Sequence, residues 1–172
     1  MKAIAYDRYG SFDVLALRDI DRPAVKDGEV LVRVSAVSLQ IGDCFGVRGA
    51  PFFVRMYTGL VKPKYGVPGY DFAGQVEAAG NGATQFKPGD EVFGSSQAAC
   101  AEYAVAREDQ LALKPASLTF EEAAAIPTAG LTALRGLRAW EGCRRGRTSS
   151  STARREESDT SRCRSRRRSR RR

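Results

Sequence analysis

From Lys2 to Pro115 the chain alternates short apolar runs with glycine- or proline-bearing turns, a pattern that predicts many short strands. KAIAYD and LALRDIDRP read as two strands separated by a turn at Gly10–Ser11. In GEVLVRVSAVSL, Val30, Val32 and Val34 alternate with Leu31, Arg33 and Ser35, which predicts a strand with one face more buried than the other. YDFAGQVEAAG and GDEVFG follow, the second introduced by the turn-forming KPGD. AEYAVAREDQLALKP supplies two more short strands around the polar Arg107–Gln110. Strands this short, each closed by Gly or Pro, predict a small barrel or a bent sheet.

After Pro115 the period lengthens. SLTFEEAAAIP offers Ser117 or Thr119 as an N-cap, with Glu121 and Glu122 in the first turn of a helix that Pro127 ends. TAGLTALRGL opens a second helix with Leu131, Leu134 and Leu137 on one face.

Charge changes the picture because it is unevenly spread. Of the net charge of +8, residues 1–138 contribute −1 (15 basic, 16 acidic) and residues 139–172 contribute +9 (13 arginines, 4 acids). The body is therefore electrically neutral, and the basicity belongs to the tail alone. The 172 residues can hold one domain with a sizeable core. Cys44, Cys100, Cys143 and Cys163 are widely spaced, which argues against a disulfide framework and for a reducing, cytoplasmic setting. No apolar run reaches the roughly 18 residues of a membrane span, and the N-terminus does not read as a leader, so no membrane partner is expected.

Candidate chemistry is sparse. Zinc sites need converging Cys, His and carboxylate ligands, but histidine is absent and no two cysteines are close in sequence. No metal is expected, and Cys44 and Cys100 read as small buried hydrophobes. Asp43 lies in the glycine-rich IGDCFGVRGAPFF after the central strand, either as a solvated helix-start acid or as a polar group at the mouth of a cleft. Gln40, at the end of that strand, is either a ligand-bonding amide or an ordinary turn residue. Tyr65 and Tyr70 either wall an apolar slot or belong to the core. The body contains no G-x-G-x-x-G or P-loop to cradle a phosphate.

Taken as a set, VSLQIGDCFGVRG, GVPGYDFAGQVEAAGNGATQFKPGDEVFG and AEYAVAREDQLALKPASLTFEEAAAIPTAGLTAL resemble the N-terminal half of the medium-chain dehydrogenase/reductase superfamily. The nearest branch is the zinc-independent, quinone-reductase-like one. Zinc-dependent members would carry Gly-His-Glu where this chain has Gly69–Tyr70–Asp71, and a cysteine-rich lobe that is missing here. The resemblance implies a mainly β fold over residues 1–138, a GroES-like, partly open β-barrel with short helices that supplies the substrate side of a cleft. It also implies a nicotinamide cofactor, NADPH or NADH, and hydride transfer to a quinone or an activated enone or aldehyde. Thr132 and Gln40, the latter where the family usually has Asn, would lie near the nicotinamide; Gln40, Asp43, Tyr65 and Tyr70 would line the substrate cleft. Members of the family are often homodimers.

Where the family continues into a nucleotide-binding domain, this chain runs into ESDTSRCRSRRRSRRR. Residues 139–172 have no apolar periodicity and are expected to be disordered. Arg and Ser are common products of GC-rich DNA read out of register. Shifting the register by one base permits, over residues 148–165, an apolar strand, a glycine-rich turn and an apolar helix start. Residues 139–172 are therefore expected to be a frameshift product replacing the nucleotide-binding domain, which would leave the chain inactive by itself. The alternative is a non-enzymatic β-barrel module whose basic tail binds nucleic acid through phosphates, with steep salt dependence.

Overall fold

A computed structural model describes residues 1–64 and 66–141. In chain order the elements are β1 (Lys2–Ala5), β2 (Ala16–Asp19), β3 (Glu29–Ser38), α1 (Ile41–Arg48), α2 (Arg55–Thr58), β4 (Asp71–Ala79), β5 (Glu91–Ser95), β6 (Tyr103–Arg107), β7 (Leu111–Leu113), α3 (Phe120–Ala124) and α4 (Pro127–Glu141). The chain divides into two units, Met1–Leu131 with both sheets and Thr132–Arg172, of which the remainder of α4 is described.

The fold is mainly β. Five strands form an antiparallel sheet in the order β6-β3-β4-β5-β7, and β1 and β2 form a separate two-stranded pair. No closed barrel forms: β6 and β7 are the edges of the sheet and are not bonded to each other. β1 is tied to the residues before β6 by a bridge between Ala3 and Ala101 and by the bond from Ile4 N to the Cys100 carbonyl, 2.9 Å.

Ten-residue β3 is the hub, paired with β4 on one side and β6 on the other. Its alternating pattern holds only in part. Val30 and Val32 are fully buried in the main core with Phe72, Val76, Phe86 and Val92, as the alternation predicts. Leu31, on the opposite face, is also buried at 4% exposure. Further along, α3 packs on β3 and β4. Its small Ala123 and Ala124 allow close approach to Ala73, with Ala36 and Phe93 around them. The sheet is thus covered on both faces near its centre, and Asp71–Gly74 are buried without alternation.

The local signals explain the helix ends. Thr119, rather than Ser117, caps α3: its hydroxyl accepts from Glu122 N, and the Glu122 carboxylate accepts from Thr119 N. Pro127 ends that helix and starts the next, since its missing N–H costs nothing at the first helical position. Leu131, Leu134 and Leu137 of α4 are exposed. In KPGD, Asp90 N donates to the Lys87 carbonyl and Lys87 N to the Asp90 carboxylate, closing the turn before β5.

Candidate functional site

The register of β3 against β4 pairs Ser38 with Asp71. Two residues further on, Gln40 leaves the strand in an extended conformation as the N-cap of α1, and this brings its side chain to Asp71. The Gln40 Nε2 donates to Asp71 Oδ2. Thr128 donates twice to the same carboxylate, from N to Oδ2 at 2.9 Å and from Oγ1 to Oδ1 at 2.8 Å. Thr128 N is one of the first N–H groups of α4, which no carbonyl within the helix can satisfy. Asp71 is completely buried, and among the described residues no cation pairs with it. Three hydrogen bonds and the N-terminal dipole of α4 stabilise its charge instead. Because the carboxylate can only accept, Gln40 must present its NH2 group there. Its side chain also closes a capping box with Asp43, taking the Asp43 N–H while the Asp43 carboxylate takes the Gln40 N–H.

Asp43 sits one turn into α1 and is buried at 6% exposure. One oxygen accepts from Gln40 N at 2.8 Å and the other from Gly69 N at 3.0 Å. It is a helix-start acid, but a buried one that fixes the loop before β4 to the start of α1. Gly69 is required there. Its φ of +96° is left-handed, and a Cβ would fall 2.7 Å from Cys100 Sγ and 2.9 Å from Cys100 N.

Asp43, Gly69 and Tyr70 line a small pocket together with Tyr6, Thr58 and Gln97. Its volume of about 30 Å³ suits a water or so, not a quinone. Burial, with Tyr9, Tyr70 and Asp43 adding negative potential, pushes the Tyr6 phenol up to about 12. Burial, and then Asp43, pushes the Cys100 thiol up to about 11. Both groups stay protonated at neutral pH and can donate a proton only weakly.

The structure therefore brings Gln40, Asp43 and Tyr70 together within one unit. Thr132 lies in the first half of α4 and is exposed. Tyr65 and residues 142–172 fall outside the described residues, whereas 139–141, expected to begin the disordered tail, continue α4. Sequence reasoning missed Asp71 and Thr128, the carboxylate and helix start that hold the Gln40 amide. The available signal was an acid opening an otherwise apolar strand in YDFAG. Cys44 and Cys100 are half-buried free thiols, and among the described residues no three His, Cys, Asp or Glu side chains cluster to hold a metal.

The profile of the alcohol dehydrogenase GroES-like domain matches residues 26–135. The chain belongs to this family. This GroES-like domain is 38% identical over 148 residues to the 2-methylene-furan-3-one reductase of Solanum lycopersicum, covering 80% of this chain and 37% of that protein. It is 37% identical to the chloroplastic NADPH-dependent alkenal/one oxidoreductase of Arabidopsis thaliana, with the same coverage. Among solved structures it superposes on the quinone oxidoreductase of Coxiella burnetii with a TM-score of 0.75 and 35% identity, covering 82% of this chain and 45% of that one. The chain thus spans less than half the length of the relatives it matches. The resemblance read from the three sequence stretches is borne out at the level of the superfamily and its quinone-reductase-like members.

Proposed function

We propose that residues 1–138 form the acceptor-side domain of a nicotinamide-dependent oxidoreductase acting on quinones or activated enones and aldehydes. One observation carries the reading. The Gln40 carboxamide is fixed between the buried Asp71 carboxylate and the Asp43 N–H, and Asp43 with Tyr70 lines the small pocket that follows. That is a preorganised polar corner, and an orienting role suits it better than acid–base chemistry. The names of the relatives, an alkenal/one oxidoreductase using NADPH and a quinone oxidoreductase, support NADPH and this acceptor class. The donor set favours a zinc-independent site: Tyr70 stands where a zinc-binding relative would carry His, and the chain has no histidine.

The residues present do not fit the whole cofactor. Gln40 and Thr132 are candidates for the nicotinamide end. No strand–turn–helix with a glycine-rich phosphate cradle occurs among the described residues, and the motif G-x-G-x-x-G is absent from the full sequence. A pocket of about 30 Å³ is likewise one wall of a cleft, not a whole one. The 172-residue chain alone is therefore expected to be inactive.

The test is a chimera in which residues 1–138 replace the matching domain of a full-length quinone reductase. NADPH oxidation at 340 nm is followed with a quinone and an enone as acceptors. The chimera should turn over, Gln40→Ala should lower kcat/KM by roughly tenfold or more, and the chain alone should match the blank. A well-folded chimera that binds NADPH and reduces neither acceptor would overturn the reading.

A further inference from the structure

The segment that follows α1 has a surface unlike the rest of the domain. Phe52 and Phe53 form a short 3-10 turn, α2 follows, and the chain doubles back between Gly59 and Lys64. Gly59 N donates to the Arg55 carbonyl at 2.8 Å, and Lys64 N to the Thr58 carbonyl at 2.7 Å. The turn is so tight that a Cβ on Gly59, whose φ is +119°, would lie 2.1 Å from the Lys62 carbonyl oxygen. Leu60 and Val61 form its tip and are 62% and 89% exposed. Met56 and Tyr57, just before it, are 72% and 82% exposed. The loop is firmly mounted, since the Tyr9 hydroxyl donates to the Gly59 carbonyl and also bonds Thr58 Oγ1 at 2.9 Å.

The charge on this segment has one sign. Residues 44–64 include Arg48, Arg55, Lys62 and Lys64 and no acid. Asp43, immediately before them, is buried and committed to backbone N–H groups. Arg48 and Lys62 are exposed, and among the described residues no carboxylate pairs with either. Protruding aromatic and aliphatic side chains backed by cations match a lipid interface, where rings sit at headgroup depth and ammonium groups meet lipid phosphates. A protein partner would need a separate pocket for each projecting side chain, whereas a fluid interface yields to all of them.

We propose that the Phe52–Lys64 loop seats the domain on a bilayer containing anionic phospholipid, with Leu60 and Val61 entering the headgroup–acyl boundary. The bilayer is not spanned, as no described helix is long and apolar enough to cross one. This inference does not rest on the oxidoreductase reading.

The test uses the full chain as a Tyr57→Trp/Trp140→Phe variant, mixed with phosphatidylcholine vesicles that do or do not contain phosphatidylglycerol, some with brominated acyl chains. The indole should be quenched by brominated lipid only when phosphatidylglycerol is present. Lys62→Glu and Leu60→Ser/Val61→Ser should each lower vesicle partitioning by roughly fivefold or more, the scale expected for one basic residue near an anionic surface. These exposed positions leave the fold intact, which circular dichroism checks. Absence of quenching, or loop variants that partition as well as wild type because the arginine-rich C-terminal residues alone bind the vesicles, would overturn the proposal. Loop variants that abolish a dimer while leaving vesicle binding unchanged would also overturn it, in favour of a second copy as the occupant.

Discussion

The centre of the sheet and the Phe52–Lys64 loop hold comparable numbers of aromatic and aliphatic side chains and use them in opposite ways. In β3, β4 and β5 the large side chains Val30, Val32, Phe72 and Val92 are fully buried. In the loop, Phe52, Phe53, Met56, Tyr57, Leu60 and Val61 are all more than half exposed. The sheet is held by burial and the loop by its hydrogen bonds to Tyr9 and to its own backbone. Apolar composition alone does not say which of these a segment will do; a second covering layer does. The sheet has α3 over one face and its own core cluster over the other, while the loop has nothing over it among the described residues.

That contrast predicts a large difference between two chemically identical substitutions. Phe72→Ala should lower unfolding free energy by about 4 kcal/mol, because it leaves a cavity in a closed core. Phe53→Ala should change it by less than about 0.5 kcal/mol. Urea denaturation of the two variants checks both, and equal losses would show that the loop is covered after all.

Between these extremes lies Asp71→Asn, which leaves the volume unchanged. The Asn oxygen can keep the bonds from Gln40 Nε2 and Thr128 N, and its NH2 can donate to the Thr128 hydroxyl, so what is lost is the charge-assisted strength of these bonds and the charge at the helix start, about 1–2 kcal/mol. The same variant should unfasten the start of α4, read as faster amide exchange at Thr128 and at the N–H groups just beyond it.

The smallest expected effect is on alkaline stability. The unfolded chain ionises Tyr6 near 10.0 and Cys100 near 9.0, whereas the folded protein holds them protonated to about 12 and about 11. Raised folded values mean that the unfolded state releases protons first as pH rises. The contribution of both groups is therefore complete below about pH 9 and is lost between pH 9 and 12. A Tyr6→Phe/Cys100→Ala variant should show a flatter decline over that window than wild type. Parallel curves would indicate that neither group is buried as described.

The strands were legible because turn residues separate the elements: KPGD directly precedes β5, Gly10–Ser11 lies in the connection between β1 and β2, and Pro127 is the first residue of α4. The capping threonine of α3 was legible as one of two choices, and the Glu three residues on decides between them. The double burial at the centre of the sheet was not legible, because α3, which packs on β3 and β4, lies far along the chain from them and period-2 reasoning sees only one strand at a time. For the same reason Gln40, Asp43 and Tyr70 could be named singly, but the carboxylate that organises Gln40 could not. Asp71 meets Thr128 across 57 residues, a contact that only the sheet register and the placement of α4 create. Strand count left a barrel and a bent sheet both open, since it says nothing about whether the edge strands meet; the family resemblance supplied the partly open form that the unpaired β6 and β7 show.

The strand order carries a consequence for how the chain is made. β3 bonds to β4 on one side and to β6 on the other, with Glu29 opposite Arg107. As the polypeptide leaves the ribosome, Val30, Leu31 and Val32 emerge early, but one edge of their strand stays unfilled until more than 70 further residues have been synthesised. Non-local pairing of this kind is slow to form and exposes an apolar strand edge meanwhile. The hub strand of the finished sheet is thus one that newborn chains leave half-paired for most of their synthesis, and one that a holding chaperone would meet.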